Sequence, residues 1–190
     1  MKKAVVGVLV FLLTGCLSGT SKPSKFYSIR SENDGAAISE KARFSVGIEE
    51  VKVPAYLDRP QLVTLKDSGV ELNVSEINRW SEPLSVMLQR ALADDIGDAL
   101  PRAVVKSKNY GRENFDYAVF VELNQLDGRL GGEAVLDAWW SAFNKDNKML
   151  LRQRVKLQRP AGQDYDALVQ AESALVSQLA REIATKLARF

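Results

Sequence analysis

Three runs of strict alternation between residues 117 and 157 constrain this chain more than any other feature. Alternation sustained over that length builds long strands with one apolar face. In the first run Tyr117, Val119, Val121 and Leu123 share a side. In the second, Ala134, Leu136, Ala138, Trp140 and Ala142 do. In the third, Met149, Leu151, Val155 and Leu157 stand opposite Arg152, Arg154 and Lys156. The links, Asp127 to Gly132 and Asn144 to Asn147, are rich in turn residues, which predicts an antiparallel meander. An apolar sheet face needs a cover. Leu168, Leu175, Leu179 and Ile183 recur at helical spacing between Asp164 and Arg189, a predicted helix roughly 38 Å long.

Upstream, Phe26 to Ile29 reads as a first strand and the polar stretch Ser31 to Lys41 as a loop. Phe44 to Val53 reads as a long strand with a shift near Glu49-Glu50 suited to a bulge. Gln61 to Leu65 and Val70 to Val74 flank Lys66-Asp67-Ser68-Gly69, a hairpin signature. A helix is predicted from about Ser81, with Ser81 as N-cap and Pro83 in the first turn. Its apolar face is Leu84, Leu88, Ala91, Leu92 and Ala99, and Pro101 ends it. Ala103 to Val105 reads as a short strand. The sum is an α+β fold: mainly antiparallel sheet, one central helix, and one long C-terminal helix packed on a face.

Three details carry two readings each. Trp139 and Trp140 must point to opposite sides of their strand. One fills the core; the other, with Phe143, is covered within the subunit or meets another molecule. Asp95 and Glu172 fall inside apolar helical stripes, so each sits at a stripe edge or forms a buried pair with an arginine. Nothing in the sequence places them together as a catalytic pair.

The chemistry available is narrow. Among 190 residues there is no histidine, and Cys16 is the only cysteine. Ser–His–Asp and Cys–His nucleophiles, His or Cys metal sites and an internal disulfide are therefore excluded. No calcium-loop spacing is present. The expectation is a protein that is not an enzyme and holds no cofactor or metal. Without Lys2 and Lys3 the 26 basic residues fall to 24, equal to the 24 acidic ones. That balance gives no basic footprint for nucleic acid.

The N-terminus has the layout of an export signal: Met1-Lys2-Lys3, an apolar run from Ala4 to Leu13, then Thr14-Gly15 before Cys16. The run is too short to span a bilayer as a mature helix. Leu13-Thr14-Gly15-Cys16 resembles a lipobox. The resemblance implies cleavage before Cys16, a diacylglyceryl group on its sulfur and an acylated (palmitate-type) new N-terminus. Residues 1–15 are thus expected as signal peptide, 16–25 as a lipidated flexible tether rich in Ser, Gly, Lys and Pro, and 26–190 as a periplasmic domain. Position 17 is Leu rather than Asp, which by analogy with Gram-negative lipoproteins points to the periplasmic face of the outer membrane.

Two segments combine aromatics, prolines and opposite charges: Val53-Pro54-Ala55-Tyr56-Leu57-Asp58-Arg59-Pro60-Gln61, and Asn78-Arg79-Trp80-Ser81-Glu82-Pro83-Leu84 at the entry to the first helix. Read as loops, they either close the end of the core through Tyr56 and Trp80 or form a protein interface. Together, "VPAYLDRPQLVT" and "NRWSEPL" resemble the auxiliary lipoproteins of ABC-type transport, the PqiC-like family. The lipobox and the long C-terminal helix agree with that resemblance, which covers nearly the whole mature chain. It implies a non-enzymatic outer-membrane subunit of an intermembrane lipid transport system, forming ring homo-oligomers and working with a periplasm-spanning MCE-domain protein to maintain membrane integrity. It nominates Tyr56, Leu57, Asp58, Arg59, Pro60, Asn78, Arg79, Trp80, Glu82 and Pro83 as partner-binding residues. The competing expectation is a structural or assembly lipoprotein of another cell-envelope machine.

Overall fold

A computed structural model describes residues 22–32, 35–107 and 114–190. The signal segment 1–15, Cys16 and residues 17–21 of the tether lie outside the described residues. In chain order the elements are β1 (Lys25–Tyr27), β2 (Ser45–Ile48), β3 (Gln61–Leu65), β4 (Leu72–Trp80), α1 (Leu84–Ala99), β5 (Val104–Ser107), β6 (Tyr117–Gly128), β7 (Glu133–Asn144), β8 (Met149–Pro160) and α2 (Tyr165–Leu187). They form a three-stranded sheet, β1-β4-β3, and a five-stranded sheet, β5-β2-β6-β7-β8. The fold is α+β, as the sequence predicts, and both sheets are mixed. The β6-β7-β8 meander and the β3-β4 hairpin are antiparallel. Parallel pairing occurs where β1 joins β4 and where β2 lies between β5 and β6.

The meander buries the face its alternation defines. Val119, Val121, Leu136, Ala138, Trp140 and Val155 all lie in the core. Helix α2 packs across β6, β7 and β8, and α1 lies beside it over β5 and β2. Small residues at Ala134, Ala138 and Ala142 let the helix approach the sheet between larger neighbours. Asp164 caps α2 by accepting the Ala167 amide at 2.8 Å, and Lys186 in the last turn complements the helix dipole.

A bulge between Leu123 and Gln125 exchanges the faces of β6: the buried positions run 119, 121, 123 before it and include Leu126 after it. A shift at Ala142/Phe143 acts similarly at the end of the meander, so Met149 is 48% exposed instead of sharing the buried side. The predicted strand 44–53 ends at Ile48. The Glu49 amide still donates to the Val119 carbonyl at 2.9 Å, the chain then steps out at Glu50, and Lys52 rejoins through an isolated bridge to Glu122. The β3-β4 turn uses Gly69 at φ 72° and the β7-β8 turn uses Asn147 at φ 59°, a left-handed position Asn tolerates.

Two expectations near the first helix are corrected. Asn78, Arg79 and Trp80 are not loop but the end of β4, because Gln61 pairs with Arg79 and extends the hairpin. Pro83, not Ser81, is the N-cap of α1. Ser81 is drawn away: its amide donates to the Tyr27 carbonyl at 2.8 Å and its hydroxyl lies 3.7 Å from the Met87 sulfur. The stripe-edge expectation for Asp95 and Glu172 also fails, since they are 5% and 2% exposed. Asp95 sits between the two helices and accepts the Ser31 hydroxyl at 2.5 Å and the Ser177 hydroxyl at 2.7 Å; no arginine takes part.

Candidate functional site

The two nominated segments meet. The Trp80 amide donates to the Pro60 carbonyl at 2.7 Å, and the adjacent Gln61–Arg79 pair opens the β3-β4 ladder. Residues 54–60 are a compact turn, in which the Leu57 and Asp58 amides both donate to the Pro54 carbonyl, at 2.9 and 3.1 Å. Leu57 (3% exposed) and Trp80 (7%) enter the core, and Asn78 is buried against Ser75 and Tyr27. These three hold the site from behind. Tyr56 and Arg79 are half-buried; Asp58, Arg59, Pro60, Glu82 and Pro83 face solvent. Glu82 receives both terminal nitrogens of Arg90, at 2.7 and 3.1 Å, and the guanidinium holds its carboxyl below the usual range.

Tyr56 fixes the turn to the meander. Its hydroxyl donates to Asp127 Oδ2 at 2.6 Å, and Gln125 Nε2 donates to the other oxygen at 2.8 Å. Burial and the Asp127 carboxylate push the Tyr56 hydroxyl far above the ordinary phenol range, so it remains a donor. Glu172 is buried close enough to Asp127 to feel its charge. Burial first, and Asp127 second, raise the Glu172 pKa well above normal. Its Oε2 has no hydrogen-bond partner among the described residues. A neutral carboxylic acid is the form such an environment favours.

In front of this frame lies an open groove of about 830 Å³. Pro54 and Asp58 of the first segment, Ser85 in the first turn of α1, Glu49 and Glu50 of the step after β2, and Phe120 and Glu122 of β6 line it. It continues into a smaller apolar pocket of about 250 Å³ on the outer face of the five-stranded sheet. There Phe120 and Phe143 meet edge to face at 5.3 Å, and the Arg152 guanidinium lies 4.9 Å from the centre of the Trp139 ring. No helix covers this face among the described residues; Trp139 is shared between Arg152 and the pocket. On the other side of the same strand Trp140 is 1% exposed.

Phe120, Ser85, the Glu49-Glu50 step and Met149, which lines the apolar pocket, were not nominated from the sequence. Phe120 carried a signal: a large aromatic between Val119 and Val121 must stand on the non-core face. The Glu49-Glu50 shift was visible, but not that it would form a groove wall. Chemically the groove offers carboxylates, one lysine and an aromatic pocket. No group of three or more His, Cys, Asp or Glu side chains among the described residues is placed to hold a metal ion.

The family model for the ABC-type transport auxiliary lipoprotein component matches residues 27–184. A crystal structure of an uncharacterized protein superposes with a TM-score of 0.73 at 23% identity, covering 87% of this chain and 99% of that one. Protein XCC0632 from Xanthomonas campestris gives a TM-score of 0.71 at 14% identity, over 85% of this chain and 93% of that one. At these identities the likeness speaks for the fold. Among curated proteins none matches.

Proposed function

This chain belongs to the ABC-type transport auxiliary lipoprotein components, and from that premise we propose that it is the outer-membrane subunit of an MCE/ABC-type intermembrane lipid transport system. In this reading Cys16 carries the lipid anchor on the periplasmic face. The domain acts without catalysis, as an oligomeric docking or tunnel-end subunit that receives a periplasm-spanning MCE-domain protein.

The observation that carries the reading is the groove. Asp58, from one family-like segment, and Ser85, just beyond the other, line it together, and it ends in the Phe120–Trp139–Phe143 pocket. Polar walls around an aromatic pocket are the anatomy of a protein-binding surface, where a few buried aromatic and arginine contacts supply most of the affinity. The hydrogen bond from Trp80 to Pro60 and the Tyr56–Asp127 contact keep the rim rigid, which lowers the entropy cost of docking.

The test is photo-crosslinking in cells from Asp58 and from Ser85, with an exposed site in the β3-β4 turn as control. An MCE-domain protein captured from both groove sites, with a multimer on sizing, supports the reading. A monomer whose groove neighbours belong to a different envelope machine overturns it in favour of the assembly-factor alternative.

A further inference from the structure

A second apolar surface lies on the outer side of the three-stranded sheet. Strand partners in register share a face. Phe26 is paired with Arg79, Val74 with Val63, and Leu72 with Leu65, while Gln61 also faces Arg79. The opposite side of this sheet is the one that packs inward: Leu62 and Thr64 are 1% and 2% exposed, and Asn73 donates to the Tyr165 hydroxyl on α2 at 3.0 Å. On the outer side Val63 of β3 is itself only 5% exposed, but along β1 and β4 Phe26 is 67% exposed and Leu72 and Val74 each 40%, and Val70 in the adjoining turn reaches 86%. These are four of the ten large apolar side chains exposed among the described residues, gathered on one small sheet and its turn. The groove uses none of them.

β1 is also the first element of the fold, and only residues 17–24 separate it from Cys16. Fully extended, those eight residues reach at most about 30 Å. A chain moored at Cys16 therefore holds this sheet, edge strand first, close to the bilayer. Lys22, Lys25 and Arg30 stand exposed around that edge. Cations held close to an anionic leaflet are drawn to it. Tethering makes even weak surface contact persistent, because the local lipid concentration is set by the short tether. A second copy is a poorer occupant: a stable dimer buries about 800 Å² on each partner, more than these few side chains present.

We propose that the outer face of the three-stranded sheet rests on the membrane, with Phe26, Val70, Leu72 and Val74 entering the headgroup region and Lys22, just ahead of β1, meeting anionic lipid. The chain-length part of the argument rests on the Cys16 anchor; the exposed apolar face does not.

The test uses the mature lipoprotein in vesicles of phosphatidylethanolamine and phosphatidylglycerol. Val70→Cys, or Asp146→Cys in the β7-β8 turn as control, carries an environment-sensitive fluorophore, and nitroxide-labelled lipid is the quencher. Both positions are exposed turns, so folding is unaffected. Quenching at position 70 should exceed that at 146 at least fivefold, and Phe26→Asp should reduce it severalfold. Equal quenching at the two positions overturns the proposal. So does a blue shift at position 70 that follows protein concentration and ignores the nitroxide, which would put a second copy on the face. Mass analysis of Cys16 separates this outcome from failure of the anchor. If the cysteine is unmodified, the same label in a Cys16→Ser chain is read with excess vesicles. Quenching there supports the face without the anchor, and none overturns it.

Discussion

The two faces of the five-stranded sheet differ most sharply at neighbouring residues. Trp140 is sealed under α2 at 1% exposure, whereas Trp139, one residue earlier, stacks with Arg152 beside an open pocket. The carboxylates repeat the contrast. Glu172, brought to the inner face by α2, is buried with one oxygen unpartnered and its pKa raised. Asp137, on the outer face, is held by Arg154 at 2.6 and 2.9 Å and by Asn124 at 3.0 Å, and the guanidinium lowers its pKa. One face is built for stability with a polar defect left in it. The other is left open to solvent beside its pocket, with the Asp137 carboxylate answered by Arg154.

Substitutions should break this contrast in graded steps. Trp140→Ala should cost about 3–5 kcal/mol by urea unfolding, because it empties a site the core cannot refill. Glu172→Gln should stabilise the protein at pH 7 by about 1–3 kcal/mol, since it removes a buried acid without changing shape. Its raised pKa fixes the sign. As pH rises above the ordinary glutamate range, the unfolded chain loses its proton before the folded one, so wild-type stability falls. Below that range both states are protonated and the gain should vanish; a gain that persists in acid would refute this account. Trp139→Ala should cost only about 1 kcal/mol, chiefly the stacked Arg152 and modest burial, and should weaken groove crosslinking instead. Arg154→Met should have the smallest effect, a fall of about 2 °C in melting temperature at neutral pH. The sign is opposite to that of Glu172. The Asp137 pKa is depressed in the fold, so the Arg154 contribution is present above the ordinary aspartate value and lost as pH falls through the folded one.

Much of the inner face was legible in the sequence because burial against one helix imposes period two on β6 and β7 and helical period on α2. The central helix was legible through its stripe, and its end through Pro101. What was not legible came from pairing between distant segments. Parallel β1-β4 and β2-β6 contacts leave no local signature. The length of β4 depended on Gln61 finding Arg79 across an irregular ladder, so Asn78–Trp80 looked like a loop. The burial of Asp95 depended on Ser31 and Ser177, hydroxyls from two other parts of the chain. In the site, the segments could be named from residue types, but which side chains face out could not. Leu57 and Trp80 proved to be framework, while Asp58 and Arg59 face solvent.

Strand β8 has a consequence for copies crowded on a membrane. It is the last strand of its sheet, twelve residues long, and its outer backbone edge is unpaired within the sheet. Its sequence contains Arg152, Arg154, Lys156 and Arg159 and no acidic residue, and it closes on Pro160. Two copies meeting edge to edge would set cation against cation along their length. The molecule is thus protected against fusing into a continuous ribbon by the same arginines that lie over Trp139 and hold Asp137.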